Sequence, residues 1–191
     1  MKKLTYILIL ALMLTLAVSV YSENVETDLE NNLIRLHIIA NSDSDEDQSV
    51  KLKVRDAVIA EVDCSKLNPD EAAQQAAVTA RRVLAENNFS YGAYGEFTEM
   101  EFPVRQYRDI TLPKGRYKAV RIVLGNGNGH NWWCVLYPPI CMEDTRGSGE
   151  AARKQLKEQL NEETYDVITN NGEIKIRLKS AEILKKIIQQ L

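Results

Sequence analysis

Apolar and polar positions divide the chain into one continuous apolar stretch followed by segments of two different periods. Residues 4–20 are apolar except for Thr5, Thr15 and Ser19, so a helix there has no polar face. Residues 23–32 (ENVETDLENN) are polar and read as a short spacer. Residues 33–40 alternate, with Ile34, Leu36, Ile38 and Ala40 on one side and Arg35 and His37 on the other, which predicts a strand. NSDSDEDQ then supplies caps and first-turn acids for a helix to about residue 61, with Val50, Val54, Val58 and Val62 as its core stripe. Asn68-Pro69 restarts a helix, with Asn as cap and Pro at the first helical position, and Ala73, Ala76, Ala77, Ala80 and Leu84 line one face of it.

The period then changes to two. Residues 97–105 and 116–124 alternate as strands, and Pro103 suggests an edge or an end. GNGNG at 125–129 reads as a hairpin loop leading into a third strand over 132–137. Pro138-Pro139 stops that strand. Residues 150–160 read as a helix, 166–178 as a hairpin around Asn170-Asn171-Gly172, and 180–191 as a last apolar-faced helix. Helices before and after a block of strands indicate a single α+β domain over 33–191. Its sheet is mostly antiparallel or mixed, with the helices packed on one face.

Composition changes this picture at the N-terminus. The chain has 191 residues, a formal charge of −3 and 27% charged residues, a globular profile with no basic footprint for nucleic acid. Lys2 and Lys3 precede the apolar stretch and no acid occurs before Glu23. That is the layout of a signal peptide over residues 1–22, with Ala17-x-Ser19 and Val20-x-Ser22 as cleavage sites. Its length also suits a signal anchor. Removing residues 1–22 deletes Lys2 and Lys3 and no acid, which moves the formal charge from −3 to −5. Export permits disulfides, and Cys134 and Cys141 flank the Pro-Pro turn as a candidate pair, leaving Cys64 odd. The alternative is three unpaired, partly buried thiols.

Candidate chemistry is sparse. His130 and Cys134 are four apart, but four strand residues span more than ~12 Å, so they make a poor nucleophile–base pair. The acidic run Asp43, Asp45, Glu46, Asp47 lacks the glycine and distal glutamate of a calcium loop. Two histidines and three scattered cysteines offer no zinc spacing. GNGNG lacks the Lys-Ser/Thr of a phosphate loop and leads into a strand. No catalytic residue, metal or cofactor is expected. Trp132 and Trp133, adjacent on a strand, point to opposite faces. One of them can stand exposed beside Tyr137, Pro138 and Pro139 as a partner-binding hot spot, or both can be covered.

RLHIIANSDSDEDQSVKLKVRDAV, EFPVRQY and LPKGRYKAVRIVLGNGNGHNWWCVLYPPIC, covering about residues 33–141, resemble the stage II sporulation protein R family. The resemblance implies a signalling protein and not an enzyme. Such proteins are exported from the forespore into the space between forespore and mother cell. There they activate a membrane-embedded aspartic protease of the septal membrane, which processes pro-sigma-E. The competing expectation is an exported thiol hydrolase acting on cell-wall peptide or protein through Cys134.

Overall fold

The computed structural model describes residues 2–140 and 149–169. Helix α1 (Lys2–Asn32) is followed by β1 (Ile34–Ile39), α2 (Asp45–Glu61) and α3 (Pro69–Glu86). Strands β2 (Ala93–Phe102), β3 (Arg105–Tyr107), β4 (Ile110–Leu112), β5 (Gly115–Leu124) and β6 (Asn131–Tyr137) come next, then α4 (Gly149–Gln159) and α5 (Glu162–Thr169). The main sheet has the order β2-β5-β1-β6, and β3-β4 forms a separate hairpin. β1 and β5 run parallel, whereas β2 and β6 are antiparallel to their neighbours. This is the α+β domain with a mixed sheet that the periodicities predict, but helices pack on both faces of the sheet, α2 and α3 on one and the end of α1 with α4 and α5 on the other, and not on one face alone.

The helix starts follow the expected chemistry. The Ser44 side chain caps α2 by accepting from the Asp47 N–H. Asn68 and Glu71 form a reciprocal capping box on α3, with Pro69 at its first position. The valine stripe of α2 and the alanine face of α3 pack on Leu36, Ile38, Val120, Ile122 and Leu136. The lower half of the other face is covered by Val25, Leu29 and Leu33 at the end of α1, by Ile110 and Leu112 of the hairpin, and by Leu156 and Ile168 of α4 and α5.

Three further expectations are corrected. The glycine loop is not a hairpin turn, because β1 lies between β5 and β6 and the loop carries the chain over the end of β1. Alternation identifies strands but is silent about which ones pair. Residues 23–32, expected as a spacer, are the last turns of α1, with Val25 and Leu29, four apart, entering the core. Residues 166–169 are helical, in α5, and not the start of a hairpin strand. The rest of that expected hairpin, the helix over 180–191 and Cys141 lie outside the described residues.

The first part of α1 differs from every other helix. Leu4, Ile7, Leu10 and Met13 are each more than 60% exposed. The helix is long and apolar enough to cross a membrane, and none of its most apolar window is buried. This is consistent with a signal or export segment.

Candidate functional site

The upper half of the second sheet face is part-exposed: His37 and Ile39 at its centre are buried, and the residues on either side of them reach solvent. Strand register sets up a cross-strand row through all four strands, Glu96–Arg121–His37–Trp133. The row above it is Tyr94–Val123–Ile39–Asn131, and the row below is Thr98–Ala119–Arg35–Val135. Ala119, Arg35 and Val135 in the lower row are fully buried. By contrast Tyr94 is 61% exposed, Asn131 is exposed, and Glu96, Arg121, Val123 and Trp133 are half-buried. Aromatic, aliphatic and charged groups therefore stand side by side on a rigid surface.

Each member of the middle row is held in place. Arg121 Nη1 donates to Glu96 Oε1 at 2.7 Å. The His37 ring stacks on Trp133 with centroids 3.7 Å apart and planes 8° from parallel, and Phe102 meets Trp133 edge-on at 4.9 Å. His37 Nε2 and Asn131 Oδ1 are hydrogen-bonded at 2.8 Å. Nδ1 is buried with no hydrogen-bond partner.

Burial pushes the His37 imidazole below its usual value; the Asn131 hydrogen bond opposes this and the Arg121 guanidinium adds to it. The unfolded chain, titrating near ~6.5, takes up a proton before the folded state does. Stability is therefore full above about pH 6.5 and falls as pH drops from there through the folded pKa. Urea midpoints measured at about pH 7.5 and about pH 5.5 should differ in the native chain and converge in His37→Gln. A native midpoint that does not move across this interval would contradict the assignment.

Beneath the row lies an interior cation. Arg35 is fully buried; its Nε donates to the Cys134 carbonyl at 2.9 Å and its Nη2 to the Tyr107 hydroxyl at 3.3 Å. The guanidinium carbon sits 4.3 Å from the Phe102 ring centroid and 4.9 Å from that of Tyr117. Nη1 has no partner, and among the described residues no carboxylate forms an ion pair with Arg35. Burial lowers its pKa from the usual arginine range, partly offset by Tyr107 and Tyr117.

Above the row, the glycine loop is fastened to the start of α2. Gly129 N–H donates to the Ala40 carbonyl at 2.9 Å, Asn128 N–H to the Asn41 carbonyl at 3.1 Å, and Asn126 N–H to Asn41 Oδ1 at 2.9 Å. Asn41 also donates to the buried Asp47 carboxylate at 2.8 Å, which accepts from the hydroxyls of Ser42 and Tyr91 as well. Desolvation raises the Asp47 pKa, but the hydrogen bonds from Ser42, Tyr91 and Asn41 outweigh it and hold the carboxyl below its usual range. The acidic run thus serves as a polar bolt between two loops.

The residues singled out by sequence fall in three places. Trp133 belongs to the open row. Trp132 faces α2, where the Arg55 guanidinium stacks 4.4 Å from its centroid and its own Nε1 is buried without a partner. Of the two alternatives for the tryptophans, one exposed or both covered, the structure lies between: both are half-buried, one under Arg55 and one against His37 and Phe102. Tyr137 accepts from Gln159 Nε2 at 2.8 Å, Pro138 is buried, and Pro139 is half-buried. Tyr137 and Pro139 line a groove of about 310 Å³ with Ile59, Asp63, Cys64 and Gln155.

Cys134 is 1% exposed and disulfide-bonded, whereas Cys64 is free. Burial, then the Asp63 charge, raise the Cys64 thiol to about 11, so it is protonated near neutrality. His130 is exposed and sits with Nδ1 2.6 Å from Asp43 Oδ1, not against Cys134. Among the described residues no group of three or more His, Cys, Asp or Glu could hold a metal ion.

Sequence reasoning missed Tyr94, Glu96 and Arg121. Their signal was present only as alternation partners of Phe97 and Val120, and nothing in one dimension aligns residues 96 and 121 with His37. Compared with known proteins, residues 30–147 match a family model described as stage II sporulation protein R. The stage II sporulation protein R of Bacillus subtilis (strain 168) is 35% identical over 158 residues, covering 77% of this chain and 70% of that one. No solved structure matches the chain.

Proposed function

The chain belongs to the stage II sporulation protein R family, which places its role in sporulation, and from that membership we propose that it is a signal between compartments. It is delivered from the forespore into the space between the forespore and mother-cell membranes. There it activates a membrane-embedded aspartic protease of the septal membrane, and pro-sigma-E is processed in consequence. The chain acts by binding and not by catalysis. Cys134, the residue through which a thiol hydrolase was expected to act, is buried and disulfide-bonded, and His130, four residues before it, engages Asp43.

The observation that carries this reading is the open, ordered sheet face on a domain attached to an exportable helix. A surface held in one arrangement by stacking and an ion pair loses little freedom on docking. It shifts the protease towards its active state by binding that state more tightly, since only differential affinity moves such an equilibrium. Trp133, Tyr94 and Arg121 are of the residue types that dominate interface energetics.

The test is processing in cells that co-express this chain, the protease and pro-sigma-E. Tyr94→Ala combined with Arg121→Glu should lower processing by about tenfold or more, the consequence of losing contacts worth at least ~1.4 kcal/mol. Export should stay at the native level, and thermal stability should fall by no more than about 1 kcal/mol, the cost of a part-exposed ion pair replaced by two like charges across the strands. Val78, 58% exposed on α3 and so on the far side of the sheet, supplies the control, and Val78→Ala should process normally. Undiminished processing by the double variant would overturn docking through this face.

A further inference from the structure

We propose that the free edge of β2 takes up an extended, basic segment of a partner chain as a fifth strand of the main sheet. The first observation is the edge itself. β2 stands at the end of the order β2-β5-β1-β6 and is ten residues long, about twice the usual strand. The Gly92 carbonyl accepts from the Gly125 N–H at the top of the β2–β5 pair. Backbone groups alternate in direction along an antiparallel strand, so the N–H and C=O of Gly95, Phe97, Glu99 and Glu101 point away from β5. The Ala93 carbonyl follows the same alternation and accepts from Arg81 Nη1 at 2.9 Å. Among the described residues nothing hydrogen-bonds to the outward groups of the other four.

The second observation is that this edge is unbroken and firmly held. Sheet edges are commonly guarded by proline, a bulge or a covering segment. β2 (AYGEFTEMEF) contains no proline, and its register with β5 runs without a shift from Ala93–Leu124 to Phe102–Gly115. α3 presses on its first face so closely that a Cβ on Gly95 would lie 2.8 Å from the Ala73 carbonyl oxygen. The opposite edge is not equivalent. On β6 the Trp133 carbonyl accepts from the Tyr107 hydroxyl and the Cys134 carbonyl from Arg35 Nε.

The third observation selects the occupant. β2 carries Glu96, Glu99 and Glu101 and no basic residue. Glu99 and Glu101 are exposed on the first face, where register sets Lys118 and Arg116 of β5 opposite them. Arg116 Nε lies 3.4 Å from Glu99 Oε2. Charge therefore changes from basic to acidic between β5 and β2, and an added strand continues the alternation with lysine or arginine at every second position. Opposite charges paired across strands favour such a register, and like charges oppose it. A second copy of this chain is disfavoured, because its own β2 brings the same three acids and no base.

On the second face the added strand stands beside Tyr94, Glu96 and Thr98, and so widens the row that ends at Trp133. Main-chain hydrogen bonds supply the affinity in this mode of recognition, and alternate side chains supply the selectivity. That the strand belongs to the protease rests on the proposed function; that the edge accepts a basic strand does not.

The probe is a ten-residue peptide alternating lysine and valine, beside a second peptide with glutamate in place of lysine. Residue-resolved amide exchange is followed on the full chain in neutral detergent. With the lysine peptide at about 1 mM, enough to reveal weak addition, the amides of Gly95, Phe97, Glu99 and Glu101 should exchange several-fold more slowly. Those of Tyr94, Glu96 and Thr98, already bonded to β5, should not change. Glu99→Pro removes one outward N–H where an edge strand tolerates proline, and should abolish the protection. Glu99→Lys combined with Glu101→Lys leaves the backbone intact and should transfer the protection to the glutamate peptide. No protection of the native chain by the lysine peptide, equal protection by both peptides, or protection that survives Glu99→Pro would overturn the proposal. In cells that co-express this chain, the protease and pro-sigma-E, Glu99→Pro should lower processing by about tenfold. Native processing by that variant would overturn the protease as the occupant and leave the edge site standing, since the peptide measurement does not involve pro-sigma-E.

Discussion

Replacing Gly129 with alanine is expected to destabilise the domain by about 3 kcal/mol, from a steric conflict that no side chain can relieve. A Cβ at this position would lie 2.2 Å from the Ser42 carbonyl oxygen, 2.5 Å from its carbon and 2.9 Å from Ala40 Cβ. Two of those atoms are backbone. The opposing segment is tied to the glycine loop by hydrogen bonds from Gly129 to Ala40 and from Asn128 to Asn41. Relief therefore means separating the loop from the start of α2 and losing the Asn41 and Asp47 network with it. Gly92 is the control, because a Cβ there meets nothing within 4 Å, and Gly92→Ala should be neutral or slightly stabilising. Urea denaturation of both variants beside the native chain checks this; a Gly129→Ala midpoint equal to that of Gly92→Ala would disprove the close-approach account.

The second large effect is at Arg35. Arg35→Ala should cost about 4 kcal/mol, because it empties a fully buried site among Phe102, Tyr117 and Tyr107. Arg35→Met should remain within about 1 kcal/mol of the native chain. Methionine keeps most of the volume and packs well against aromatic rings. It also removes a desolvated charge whose attractions are two hydrogen bonds and two ring faces, with Nη1 unpaired. Tyr107 keeps a partner without it, since its hydroxyl also donates to the Trp133 carbonyl at 3.3 Å. Equal losses in the two variants would mean that the hydrogen bonds, not the volume, make Arg35 necessary. That comparison separates packing from polarity at the base of the open face.

What was legible in sequence is what local chemistry decides. Ser44 and Asn68 cap their helices because a short side-chain acceptor just before an apolar-periodic segment has few other uses. The valine and alanine faces of α2 and α3 were readable for the same reason. Strand pairing was not. GNGNG between two alternating segments carries the signal of a hairpin, and Gly125 and Gly129 are needed for a different purpose, the close passage over Asn41 and Ser42. The site divides in the same way. Period-two geometry separates Trp132 from Trp133 correctly, but their covers, Arg55 and His37, lie more than seventy residues earlier in the chain. The residues that complete the open row, Tyr94, Glu96 and Arg121, acquire meaning only once β5 is placed next to β1.

That placement also governs when the domain can form. β1 is central in the sheet, yet it is the first strand to leave a ribosome or a translocation pore. Its parallel neighbour follows some eighty residues later, with Arg35 opposite Ala119, and its other neighbour later still, with Leu36 opposite Cys134. Until residue 137 has emerged, β1 has at least one bare edge and α2 and α3 have no complete sheet to cover. Contacts this distant in sequence form slowly and late. The sheet therefore cannot close until residue 137 of 191 has emerged, a built-in delay that keeps most of the chain threadable while it is being made.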